Sequence, residues 1–227
     1  MGLLNVFKKI ENQTFDQVKI SGSDFEDIFE DILLDEGFSV IEVEIDKELK
    51  KIILSSEVQI KNVFDAQGYI REPFNSQSFP DFLIFENDWI VPIELKTSED
   101  SDKPMWNNSI PKQSAIYVFM AFSNIPDKRE ILFFKGSDVI TAEASKTFKE
   151  RLVEAQQQSK FSKEELVHLD TFNHGWNIYV RSNYQQSKHT AGTVTSFVDH
   201  PNKEENKKKV IKYLESITTK ILKSVEM

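Results

Sequence analysis

The chain has 227 residues, of which 39% are apolar and 29% charged, with Phe at 18 copies, a net charge of -9 and no cysteine. That length supports one domain with a sizeable core, the missing cysteine excludes disulfides and thiolate metal sites, and the acidic balance argues against a general nucleic-acid coat protein, whose phosphate contacts show as an excess of Lys and Arg. No run reaches the ~18 apolar residues of a membrane span, and "MGLLNVFKKIENQ" is too briefly apolar for a secretory signal. A single cytoplasmic domain over residues 1–227, with no membrane partner, is expected.

In chain order, "GSDFEDIFEDILLDEGF" places Phe25, Ile28, Phe29, Ile32 and Leu33 on one helix face, with Ser23 as N-cap and Gly37 as stop. "FSVIEVEI" alternates like a strand, "VQIKNVF" suggests another, and "GYIREPFNSQSF" reads as a loop. "PDFLIFENDWIVPIELK" follows as an apolar hairpin, then a polar stretch, "TSEDSDKPMWNNSIPKQS", of a length that is more often functional than idle. "AIYVFMAF" and "REILFFKG" have the continuous apolar character of buried strands, and "TAEASKTFKERLVEAQQQ" that of a solvent-facing helix. "WNIYVRSNY" reads as a later strand and residues 203–224 as a C-terminal helix. The order predicts an α/β domain with a mixed central β-sheet flanked by α-helices.

The hairpin carries its charges at one end. If Asn87 and Asp88 form a two-residue turn, Asp81 lies directly opposite Glu94, and Lys96 projects from the same face as Glu94. Pro92 cannot donate to a ladder, which suggests an edge or a bulge. Two facing carboxylates repel unless a positive charge sits between them, and oxygen ligands without His or Cys favour magnesium, manganese or calcium. The residues alone also fit a surface ion pair in which Lys96 neutralises Glu94.

Pro80-Asp81, a strand and a turn, then Glu94-Leu95-Lys96 resembles the signature of the PD-(D/E)xK nuclease superfamily, and within it the type II restriction endonucleases. The resemblance implies a restriction-endonuclease-like core and Mg2+-dependent, sequence-specific hydrolysis of phosphodiester bonds in double-stranded DNA, leaving 5'-phosphate ends. It implies catalysis by Asp81, Glu94 and Lys96, with the metal held by Asp81, Glu94 and the main-chain carbonyl of Leu95. Mn2+ is expected to substitute, and no small-molecule organic cofactor is implied. In this superfamily a helix ahead of the hairpin often adds a Glu, for which Glu26 is the counterpart; a solvated acidic helix face is the other reading of that residue. "MWNNSIPKQSAIYVF" resembles the loop after Glu-x-Lys in several restriction enzymes, making Asn107, Asn108, Ser109, Lys112 and Gln113 DNA-contact candidates, although such residues also serve simply to turn a loop. A homodimer on a palindromic site is implied too, with the C-terminal helix serving either as dimer face or as ordinary core.

Gln113 and Tyr117 match a Gln-x-x-x-Tyr pattern of related exonucleases, but that pattern lies on a helix and this segment reads as a strand. Alternatives are a repair or Holliday-junction-resolving nuclease of the same superfamily, a non-catalytic DNA-binding protein, and a carboxylate-pair glycosidase. The last is disfavoured because Lys96 would lower the pKa of the acid it needs. No His pairing, phosphate loop or nucleophile elbow offers a rival site.

Overall fold

The computed structural model of the chain describes residues 2–13, 21–98, 102–104, 106, 110–121, 130–165, 178, 180 and 196–218. Its helices are α1 (Leu3–Glu11), α2 (Gly22–Asp35), α3 (Lys47–Ser55), α4 (Gly136–Val139), α5 (Ala142–Gln158) and α6 (Lys203–Thr218). Its strands are β1 (Ile60–Lys61), β2 (Gly68–Arg71), β3 (Phe82–Glu86), β4 (Trp89–Ser98), β5 (Ile116–Ala121) and β6 (Glu130–Lys135). They form one sheet in the order β2-β3-β4-β5-β6, with β1 paired to β4. The β4–β5 pair is parallel and the others are antiparallel, so the sheet is mixed, with helices flanking it. No helix among the described residues is long and apolar enough to cross a membrane.

The N-terminal segment, for which the sequence reading predicts no element, forms α1. Leu3, Val6, Phe7 and Ile10 fall on one face and are fully buried. α2 forms as expected on its apolar stripe and ends before Gly37 at φ 85, but its N-cap is Ser21 rather than Ser23. Ser21 Oγ accepts the Asp24 N–H at 3.1 Å while the Asp24 carboxylate accepts the Ser21 N–H at 2.9 Å, a reciprocal pairing that Ser23 lacks.

Three readings between α2 and the hairpin are corrected. Residues 38–45 form only an isolated parallel bridge, Val40 to Tyr69, before the chain leaves the sheet for α3. "VQIKNVF" contributes just the two residues of β1. Gly68–Arg71, expected in a loop, is a strand, because it pairs along β3 from Gly68 opposite Phe85 to Arg71 opposite Phe82. Gly68 is required there: its φ is 148, and a Cβ would fall 2.3 Å from the Ser39 carbonyl oxygen.

The two buried strands after the polar stretch are β5 and β6, and the expected helix after them is α5. The reading of residues 176–184 as a strand lies outside the described residues, apart from Ile178 and Val180, as do residues 219–224 of the predicted C-terminal helix. In α6, Val210, Leu214 and Ile217 are spent on the core of this same chain.

The sheet separates two unequal sides. On one, α1, α2 and α6 bury a continuous core with Phe82, Ile84, Val91, Ile93, Ile116, Val118 and Phe133. On the other lie two smaller clusters, one built from Ile53, Ile60, Leu83, Phe85 and Ile90, the other from Trp106, Tyr117, Phe119, Leu132 and Phe134. The charged end of the hairpin opens on this second side.

Candidate active site

The hairpin holds the register that the two-residue turn predicts: Glu86 faces Trp89, and pairing continues unbroken to Phe82 opposite Ile93. Asn87 takes φ 52 in the turn. One step beyond the last ladder pair, Asp81 therefore stands across from Glu94. Pro92 marks neither an edge nor a bulge. β4 is central, and Pro92 pairs with Leu83 at a position where alternation turns its nitrogen away from β3. On that other side the β1 pairing ends at Ile90 and the β5 pairing starts at Ile93, so no strand asks Pro92 for a hydrogen bond.

Asp81 Oδ2 accepts the main-chain N–H of Leu95 at 2.7 Å, which fixes the carboxylate against β4. Lys96 Nζ lies 2.5 Å from Glu94 Oε1. Glu94 is 8% exposed, and its other oxygen, Oε2, is buried with no hydrogen-bond partner. Leaving such an atom unsatisfied is costly, so the oxygen calls for a water or an ion to complete it. Burial, then the negative charge of Glu94, pushes the Asp81 carboxyl up to about 7, against the pull of Lys96 and the Leu95 N–H, with Glu26 adding a smaller push.

β5 supplies the neighbouring wall. Tyr117 pairs with Glu94 and Phe119 with Lys96 along the parallel ladder. Tyr117 Oη accepts the Lys112 N–H at 2.8 Å, and burial followed by the Glu94 charge pushes its hydroxyl pKa well up. This wall escapes the sequence reading because the Gln-x-x-x-Tyr match is set aside there. The segment is a strand, as expected, and Tyr117 reaches the site by ladder register.

Glu26 approaches from the α2 side of the sheet and is held by Arg71, whose Nη2 lies 3.3 Å from it. The same guanidinium binds Asp27 at 2.7 Å and Glu30 at 2.6 Å, and the Tyr69 hydroxyl donates to Glu30 at 2.7 Å. Arg71 is absent from the sequence reading because its segment is taken for a loop. Of the DNA-contact candidates, Asn107, Asn108 and Ser109 lie outside the described residues. Gln113 gives its side-chain amide to the Ile140 carbonyl at 2.8 Å, while Lys112 stands close enough to Glu94 to feel its charge.

Among the described residues, no group of three or more His, Asp or Glu side chains stands close enough to share a metal ion. The opposed pair still fits a hard divalent cation. Mg2+ keeps several waters and needs only one or two carboxylates, and the unpartnered Glu94 Oε2 beside the desolvated Asp81 is the oxygen set such an ion takes. Comparison with family models, curated proteins and solved structures finds no match for the chain.

Proposed function

We propose that the protein is a Mg2+-dependent endonuclease that cuts double-stranded DNA at specific sites, as a type II restriction enzyme does, and that it works as a homodimer. The observation that carries this reading is Glu94: one oxygen is held by Lys96, the other is buried and unpartnered, and Asp81 stands opposite. The resemblance of the Pro-Asp and Glu-x-Lys segments to PD-(D/E)xK nucleases supports it, as does a mixed sheet that brings those segments together.

Asp81 and Glu94, with the Leu95 carbonyl, would hold the ion. Bound there, Mg2+ supplies neutralising charge beside the scissile phosphate as negative charge develops. Lys96 spends one of its three protons on Glu94 and keeps the others for the attacking water, which it orients and helps to stabilise as hydroxide. The water gives one proton to bulk solvent and its oxygen bonds to phosphorus in line as the bond to the 3' oxygen breaks; that oxygen leaves with a proton from solvent, giving 3'-hydroxyl and 5'-phosphate ends. Docking of DNA depends on the local field at this end of the sheet, so the net charge of -9 does not oppose it.

The test is incubation of the purified protein and its Lys96→Ala variant with unmethylated phage DNA, in magnesium and in chelator. Discrete magnesium-dependent bands are expected for the wild type, and a loss of roughly two to three orders of magnitude for the variant. A smear points instead to a non-specific or repair nuclease, and full activity in Lys96→Ala sinks the catalytic assignment.

A further inference from the structure

Lys112 is the cation at this site whose charge the proposed chemistry does not use. It follows Pro111 in the turn entering β5 and is half-buried. Its Nζ lies 5.9 Å from the centroid of the Phe79 ring, and it makes no ion pair among the described residues. Partial burial of an ammonium without a contacting carboxylate costs stability, a cost that an anionic ligand would offset. Glu94 and Glu57 act on it only through space, and Lys149 beside it adds a second positive charge.

The backbone under Lys112 is held on every side. Its N–H goes to Tyr117 Oη at 2.8 Å, its carbonyl accepts from Ala115 at 3.1 Å, and Ser114 gives both N–H and hydroxyl to the Ser56 carbonyl at 2.8 Å. Behind it, α4 packs so closely that a Cβ on Gly136 would lie 1.9 Å from the Lys112 carbonyl oxygen. The main chain that carries the lysine is therefore fixed, which lowers the cost of presenting its ammonium to a ligand. Lys149, on α5, is held by Glu57 at 2.6 Å and places a second ammonium on the side of α3 and α5.

We propose that Lys112, supported by Lys149, forms a subsite for a DNA backbone phosphate flanking the scissile one, so that the cut strand runs from the Asp81–Glu94 pair towards α3 and α5. This rests on the nuclease reading. Lys96 is committed to Glu94 and the attacking water, whereas Lys112 lies near Glu94 without touching it, which suits a neighbouring phosphate rather than the one attacked. Being a backbone contact, it strengthens binding without choosing a sequence.

The experiment measures binding of a short duplex carrying the site mapped from the cleavage ends, in calcium, over a range of salt. The wild type is compared with Lys112→Met, and each flanking phosphate is replaced in turn by an uncharged methylphosphonate. One flanking replacement should weaken wild-type binding about tenfold. Lys112→Met should lose about as much, show a salt slope shallower by about 0.9, and be indifferent to that same replacement. The methylphosphonate arm on the wild type needs no variant, so it stands even if Lys112→Met fails to fold. The subsite is overturned if no flanking replacement weakens the wild type, or if folded Lys112→Met keeps wild-type affinity and slope. Wild-type protein that cuts no DNA removes the nuclease reading and the subsite with it; cutting with an indifferent Lys112 removes the subsite alone.

Discussion

Glu86 and Glu94 are two buried carboxylates on the same hairpin, one at the turn and one near the open end, and they are treated in opposite ways. Glu86, 4% exposed, faces the helical side, where the Leu3 N–H at the start of α1 lies 3.2 and 3.1 Å from its two oxygens and the Thr218 hydroxyl of α6 lies 3.4 Å from one of them. Glu94, 8% exposed, faces the other side, with Lys96 on one oxygen and nothing on the second. Burial alone therefore does not mark a functional carboxylate. Glu86 is consumed in tying α1, the hairpin and α6 together, whereas Glu94 retains an unused acceptor beside a second carboxylate.

Neutralising each residue in turn separates the two roles. Glu94→Gln should lower magnesium-dependent cleavage by roughly a thousandfold, while Glu86→Gln leaves it near wild type, both read as initial rates on phage DNA. Equal losses would mean that the two ends of the hairpin do not differ in role. A second test follows pH in metal-free protein. Because the Asp81 carboxyl is raised to about 7, its protonated form is favoured by the fold, so its contribution is fully present below about pH 4 and is lost as pH rises towards 7. Denaturant unfolding in chelator should show this decline, and Asp81→Asn should make it shallower. Magnesium at a hundred times its dissociation constant should restore about 2.7 kcal/mol at pH 8 in the wild type and not in Asp81→Asn. Glu86 is also raised by burial, but its oxygens are taken by the Leu3 N–H and the Thr218 hydroxyl, so its share of the decline should survive magnesium.

Much of the candidate site was legible because a two-residue turn and strict alternation leave a hairpin only one register; the Asp81–Glu94 opposition depends on nothing else. Pro92 misled because its tolerance comes from a gap between β1 and β5, a tertiary fact. α1 carried a readable stripe in Leu3, Val6, Phe7 and Ile10, and α3 a readable cap in Asp46, whose side chain accepts the Leu49 N–H at 2.7 Å. Both are nine-residue helices, too short for their stripes to stand out over the roughly 11–18 residues in which helical periodicity is read. Residues 38–45 alternate as a strand does, yet the close approach of Ser39 to Gly68 gives them only one bridge before they turn away. The wall formed by Tyr117 and Lys112 was not legible, since it depends on a parallel pairing whose crossover no local pattern specifies.

Truncating Glu86 tests its role in tying α1 to the hairpin. Glu86→Ala removes the acceptor at the start of α1 and leaves the Leu3 N–H buried without a partner, at a cost of about 1–3 kcal/mol in denaturant unfolding. Thr218 is spared, because its hydroxyl also donates to the Leu214 carbonyl at 2.9 Å. Glu86→Gln keeps an oxygen for Leu3 and discards only the charge. Burial disfavours that charge, as the raised Glu86 carboxyl records, so the Gln variant should match or exceed wild type at pH 8 and lose that advantage at low pH, where the wild-type carboxyl is already protonated. If Gln proves as damaging as Ala, the negative charge itself is needed against the positive end of α1, and Glu86 belongs with Glu94 as a carboxylate kept for its charge.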